Sequence, residues 1–223
     1  MYARNLAGLL AVVGLAACAP SAGLAPAPGA MPAPDGGVMA GSAGVRLDAR
    51  PNAWRGIPAN LTQQLTPLLV TITNDGTGPV RIRYSDFMLD AAAGKSYRAL
   101  PPFNIHETVE APLPEPGFTR FAVAPYLSGW YPRMRVYADP FRFDDVYFNR
   151  YYPMFVQLQL PTGDMIAKAL PEGVLEPGGR MTGFLYFERI DDHAGQMRLT
   201  QLLTAPSGQD LGRVEIPFQV RAG

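Results

Sequence analysis

The run LTPLLVTITNDGTGPVRIRYSDFML, residues 65–89, decides the fold class of this chain. In its first half Leu68, Val70 and Ile72 alternate with Leu69, Thr71 and Thr73, the period of two and the β-branched content of a strand. Asn74-Asp75-Gly76-Thr77-Gly78 follows, a cluster of residues that tolerate positive φ and therefore a turn. Alternation then resumes with Val80, Ile82 and Tyr84 on one side and Arg81 and Arg83 on the other. Phe87 and Leu89 fall on odd positions, so the phase slips after Tyr84, and a β-bulge near Ser85 and Asp86 would return both sets to the core.

Further along the chain the same grammar recurs. RMTGFLYFER, residues 180–189, is apolar on both faces around Phe184, Leu185, Tyr186 and Phe187, which predicts a central strand covered on each side. MRLTQLLT, 197–204, is a weaker strand, followed by a turn at Pro206-Ser207-Gly208. LGRVEIPFQV places Val214, Ile216, Phe218 and Val220 inward, and Pro217, lacking a donor, predicts an edge position. One short helix is expected from Gly163 to Leu170, capped by Thr162 and stopped by Pro171. Short strands joined by turns with one minor helix predict an all-β, antiparallel β-sandwich.

The hairpin VTITNDGTGPVRIRYSDFML and the segment ALPEGVLEPGGRMTGFLYFE resemble uncharacterised bacterial lipoproteins with immunoglobulin-like domains. That resemblance implies an immunoglobulin-like sandwich over residues 45–223 and no particular task, because such sandwiches host many functions.

The amino terminus, MYARNLAGLLAVVGLAA, has a basic start and an apolar run from Leu6 to Leu15. That run is too short for a bilayer core of roughly 30 Å, which needs about 20 residues, and reads instead as a secretory signal peptide over 1–17. Leu15-Ala16-Ala17-Cys18 resembles the lipobox of bacterial lipoproteins, matching it at all four positions. The resemblance implies cleavage before Cys18, diacylation of its thiol and acylation of the new amino terminus, so that the chain's partner is a membrane. Two or more acyl chains give stable anchoring where one gives marginal binding. Ala19 stands where an inner-membrane retention signal would carry Asp, which implies the outer membrane.

Residues 18–44, the anchor followed by APSAGLAPAPGAMPAPDGGVMAGSAG, are almost wholly Ala, Pro, Gly and Ser, and predict a disordered tether. Fully extended, such a tether would stand the domain off the membrane by up to roughly 80 Å. Cys18 is the only cysteine, so its acylation removes thiol catalysis, disulfides and cysteine metal sites from the mature chain. Basic and acidic residues balance at 19 each, which gives no footing for a nucleic-acid partner.

Between residues 101 and 160 the strand pattern loosens and aromatics concentrate: 14 of them lie from Phe103 to Phe155. Trp130, Tyr131, Phe141, Phe143, Tyr147, Tyr151 and Tyr152 are the candidate partner-binding residues of this insertion. Tyr and Trp bring large contact area at low entropic cost and, with Arg, dominate interface hot spots. The same rings could stack on sugars, with Asp, Asn and Arg binding hydroxyls, or could simply pack an inter-strand crossing on itself. Loops longer than about 15 residues are more often functional or disordered than incidental.

Catalysis finds little footing. His106 and His193 stand in no metal-binding motif, there is no nucleophile elbow, and Glu176-Pro177-Gly178-Gly179 reads as a turn, not a phosphate cradle. The acidic pairs Asp144-Asp145 and Asp191-Asp192 could supply glycosidase carboxylates or calcium ligands, but adjacent acids in polar loops are usually solvated. The sequence therefore predicts a non-enzymatic, cofactor-free envelope lipoprotein that presents its aromatic segment to a protein partner. The alternative is a module that binds carbohydrate or peptidoglycan.

Overall fold

The computed structural model describes residues 23–112, 155–191 and 193–221. Two antiparallel sheets form the body. One has seven strands: β1 (Gly23–Pro26), β5 (Val80–Ile82), β6 (Phe87–Ala91), β7 (Ser96–Arg98), β10 (Gly173–Leu175), β12 (Gln196–Thr204) and β13 (Asp210–Arg221). The other runs in the order β11 (Arg180–Glu188), β4 (Leu65–Asn74), β3 (Val45–Pro51), β2 (Val38–Ser42). A separate ribbon pairs β8 (Thr108–Pro112) with β9 (Phe155–Gln159), and the helix α1 spans Gly163–Lys168.

The main core lies between the two sheets, as the alternation predicts. Leu68, Val70 and Ile72 from β4 and Leu47 from β3 meet Phe87 and Leu89 from β6, Leu199 and Leu203 from β12, and Ile216 and Phe218 from β13. The fold is thus an all-β sandwich, with one short α-helix among the described residues and sheets larger than the four and three strands of a constant-type immunoglobulin domain.

Three local expectations are corrected. The phase slip at Ser85 and Asp86 is absorbed by a 3₁₀ turn, Tyr84–Asp86, and not by a bulge. The turn lets the chain step from one strand to the next along the same edge of β12, Arg81 opposite Thr204 and Phe87–Ala91 opposite Met197–Gln201. Second, β11 ends its sheet and is not central by hydrogen bonding; Leu100 and Ala169 cover its free side through single bridges to Tyr186 and Phe184. Third, β4 and β5 form no hairpin, since β4 lies in the four-stranded sheet and β5 in the seven-stranded one; Pro217 does take an edge position, one residue past the β1 ladder. The Pro217 carbonyl accepts from Ala27 N where β1 ends, so its missing donor falls where that ladder stops.

A larger correction concerns the tether. The expected disordered segment 18–44 contains β1 and β2, and Leu24 and Val38 are fully buried in the main core. The described fold therefore begins at Gly23, not at residue 45. Composition misleads here because a strand needs ladder partners more than large side chains. β1 borrows its partner from β13, and β2 pairs with β3 across a two-residue turn in which Ala43 and Gly44 both take positive φ, 50° and 77°.

The strands give the sandwich a long axis. At one end lie Gly23, Pro51, Asn52, Thr62, Leu65 and Thr66, lining one small depression, with Arg221 opposite Gly23 in the ladder. At the other lie the β2–β3 turn, Asp75 and Gly76 packed on Gly44, and the β12–β13 turn closed by Ala205 N donating to Gln209 O.

Candidate functional site

Trp130, Tyr131, Phe141, Phe143, Tyr147, Tyr151 and Tyr152 lie outside the described residues, as do Cys18 and the pair Asp144-Asp145. What the structure does describe is the root from which the aromatic segment leaves and to which it returns. β8 and β9 are antiparallel neighbours, with Thr108 opposite Gln159 and Pro112 opposite Phe155. Residues 113–154 therefore depart and rejoin the fold at facing positions on one end of a ribbon.

That ribbon is held by a second core on the outer face of the four-stranded sheet. In β4 and β11 the side chains that point away from the sandwich include Leu65, Phe184 and Tyr186, and these are as buried as those that point in. Trp54, Leu61, Ile105, Val109, Leu160 and Met165 pack over them. Trp54 meets Phe184 and Tyr186 edge-on, with centroids 5.1 and 6.1 Å away, while Phe184 and Tyr186 stack at 6.3 Å.

Polar tips in this core find partners at its walls. Trp54 Nε1 donates to Pro58 O at 2.8 Å, and the Tyr186 hydroxyl donates to Met165 O at 2.9 Å. Burial, with smaller contributions from Tyr84 and Asp164, pushes the Tyr186 phenol well above its ordinary range. The Tyr84 phenol, donating to Leu170 O, is raised to about 12, first by burial and then by Glu172. Both are therefore neutral donors that fix backbone, not acid or base groups at physiological pH.

The helix α1 locks the loop before β4 onto this layer. Its cap Thr162 accepts from Met165 N and donates to Ile57 O, while Asp164 accepts from Ile57 N at 2.9 Å and from Lys168 Nζ at 2.9 Å. The Lys168 bond, then the Ile57 N–H, hold the Asp164 carboxyl below its usual range. Lys168 also stands 5.7 Å from the centre of the Trp54 ring. Asn60 Nδ2 reaches the ribbon itself, donating to Glu110 O at 2.7 Å, and Leu160 N donates to Glu107 O at 2.8 Å.

Three further sequence candidates, Asp191, His106 and His193, fall inside the described residues, while Asp192 lies outside them. Asp191 is paired with Lys95 at 3.1 Å and accepts from the Tyr97 hydroxyl at 3.2 Å; these bonds, that from Lys95 first, hold its carboxyl below its ordinary range. It is thus tied to β7 as a structural carboxylate. His106 and His193 are both exposed, on separate loops. Among the described residues no group of three or more His, Cys, Asp or Glu is placed to hold a metal.

Trp54 was not among the sequence candidates although it organises this layer. The signal was the two-sided apolarity of RMTGFLYFER: Phe184 and Tyr186 could be covered only by a further layer, and Trp54 is the large aromatic that the preceding loop offers.

No family model matches the chain, and no curated protein matches it. Among solved structures it is similar to the candidate lipoprotein YcdA from Bacillus subtilis, with a TM-score of 0.38 and 12% identity over 81% of this chain and 38% of that one. The chain thus spans less than two fifths of that protein's length. With a likeness of that degree, the reading of function rests on this chain's own residues.

Proposed function

We propose that the protein is an envelope lipoprotein, lipidated on Cys18 and held at the outer membrane, whose sandwich serves as a non-enzymatic mount presenting residues 113–154 to a protein partner. The observation that supports it most is the pairing of Pro112 with Phe155 on a ribbon rooted in its own core. A segment rich in Tyr, Trp and Phe whose two ends are fixed side by side is offered from one place, and the ordering entropy that binding costs is reduced accordingly. The lipobox match at Leu15-Ala16-Ala17-Cys18 supports the anchor.

The test is photocrosslinking in cells with a probe at Phe141, Tyr147 or Tyr151, followed by mass spectrometry of the membranes and with Cys18→Ala as the unanchored control. A single protein partner that depends on Cys18 is the expected result. Crosslinks to glycan alone would replace the protein partner with a wall polysaccharide, and crosslinks only within the chain would remove the presenting role.

A further inference from the structure

The chain leaves little room between the anchor and the fold. Cys18 precedes Gly23, the first residue of β1, by four intervening residues, and a chain at full extension advances at most about 3.6 Å per residue. Whatever conformation residues 19–22 adopt, the Cα of the lipidated Cys18 lies within about 18 Å of that of Gly23, not the roughly 80 Å that a free tether would permit. Gly23 sits at one end of the long axis. Its ladder partner is Arg221, the last residue of the twelve-residue β13, whose other end leads to the Ser207 turn some 35–40 Å away at about 3.3 Å per residue.

From Gly23 the surface continues through direct contacts. Asn52 Oδ1 lies 3.1 Å from where a Cβ on Gly23 would stand, and Asn52 Nδ2 donates to Leu24 O at 3.1 Å. The loop then runs through exposed Arg55, whose guanidinium holds the Asn52 and Trp54 carbonyls at 3.2 and 2.6 Å, to Ile57, which is 44% exposed while its backbone is held by Asp164 and Thr162. Thr62 shares the depression with Gly23, and Gln63 beside it is exposed.

We infer that this end of the sandwich, centred on Asn52–Ile57 and the Leu61–Gln63 turn, is held flat against the lipid surface, with Ile57 at the membrane interface. The inference rests on the lipidation of Cys18 proposed above. It replaces a stalked domain with one whose second core, carrying the root of the 113–154 segment, adjoins the membrane-facing end: Leu61 and Leu65 belong both to that core and to the elements beside Gly23. An exposed apolar side chain on a loop that also carries an exposed arginine, Arg55, is chemistry that settles at a headgroup boundary.

Because Cys18 is the only cysteine and is blocked by lipid, a cysteine placed elsewhere can be labelled alone. The lipidated full chain carrying Ile57→Cys, Gln63→Cys or, as the distant control, Ser207→Cys is labelled with a fluorophore. It is then reconstituted into vesicles of phosphatidylethanolamine and phosphatidylglycerol containing a doxyl-labelled lipid. Ile57 and Gln63 labels are expected to lose most of their fluorescence to the lipid quencher, while the Ser207 label keeps its own. A flexible insertion of about 20 Gly and Ser residues after Ala19 should restore the first two without releasing the protein from the vesicles. Equal quenching at all three positions, or none at Ile57 and Gln63 in protein that still floats with the vesicles, would overturn the apposition and leave the anchor standing. Protein that does not float and carries a free Cys18 thiol would overturn the anchor, and the apposition with it.

Discussion

The indole of Trp54 stands edge-on to the ring of Phe184, centroids 5.1 Å apart and planes at 79°. Phe184 points outward from β11, so this contact is where the loop before β4 closes a second core on a face that most sandwiches leave to solvent. Trp54→Ala removes the keystone of that layer. The expected cost is about 3–5 kcal/mol, read as a fall in the midpoint of urea unfolding. Trp54→Phe keeps the ring contact but loses the donor to Pro58 O, and should fall between the two. If the second core folds separately from the first, Trp54→Ala will instead leave the main transition in place and split off an early one, seen as selective loss of amide protection in α1 and the β8–β9 ribbon.

Leu24 tests whether the Ala- and Pro-rich amino-terminal segment belongs to the domain. It is 2% exposed and packs in the main core, whereas Met31, seven residues on in the same segment, is 61% exposed. Leu24→Ala should therefore cost about 2–5 kcal/mol. Met31→Ala should stay within about 0.5 kcal/mol. A disordered tether would show no difference between them. Hydrogen exchange gives the same contrast without mutation: amides paired between β1 and β13 should be protected with the core, and those near Asp35 and Gly36 should exchange fast.

What was legible in the sequence was what is local. The period of two in residues 65–89 placed the strands and their buried residues, because alternation is written into neighbouring side chains, but it could not show that β4 and β5 lie in opposite sheets and form no hairpin. The helix cap at Thr162 was legible for the same reason. The strands in 23–44 were not, since their stability comes from β13 and β3, and no count of alanines and prolines carries that information. Nor was the root of the aromatic segment: Val109 and Leu158 face each other across a ladder whose closing pair, Pro112 and Phe155, is separated by 42 residues. The aromatic candidates themselves lie outside the described residues, so the sequence remains their only witness.

Asp86 gives a pH dependence of definite sign. It is 7% exposed, and Oδ2 has no hydrogen-bond partner among the described residues, while Oδ1 accepts from Ser85 at 3.4 Å. Desolvation raises its pKa above 3.8, opposed in part by Arg81 and the Ser85 bond. The native state thus keeps the proton to higher pH than the unfolded chain does, so stability is greatest below the unfolded pKa and declines as pH rises towards the folded one. For one group the slope cannot exceed about 1.4 kcal/mol per pH unit. Asp86→Asn should flatten that part of the stability curve and, near pH 7, match or exceed the parent in stability, as measured by urea midpoints from pH 3 to 7. A lower midpoint for Asn at pH 7 would mean that the ionised carboxylate is favoured by its surroundings, chiefly Arg81.

Asn74 offers the sharpest test of what ties the two sheets together. It ends β4 with no exposed surface, and Nδ2 donates both to Gly78 O and to Leu175 O at 2.9 Å, while Oδ1 accepts from Gly76 N at 3.1 Å. One amide thus closes the β4–β5 turn and reaches β10 in the opposite sheet. Asn74→Ala leaves two carbonyls and one N–H without that partner at a buried site and should cost about 2–4 kcal/mol. Asn74→Asp is nearly the same shape and can still accept from Gly76 N, but when ionised it sets a charged oxygen against the Gly78 and Leu175 carbonyls. It should therefore be at least as destabilised as the alanine at pH 7. It should recover part of the loss at pH 4, where a protonated carboxyl can donate one of the two missing bonds. The alanine has no such group and should show no recovery over the same range, so the difference between the two variants, measured at both pH values, isolates the donor from the packing.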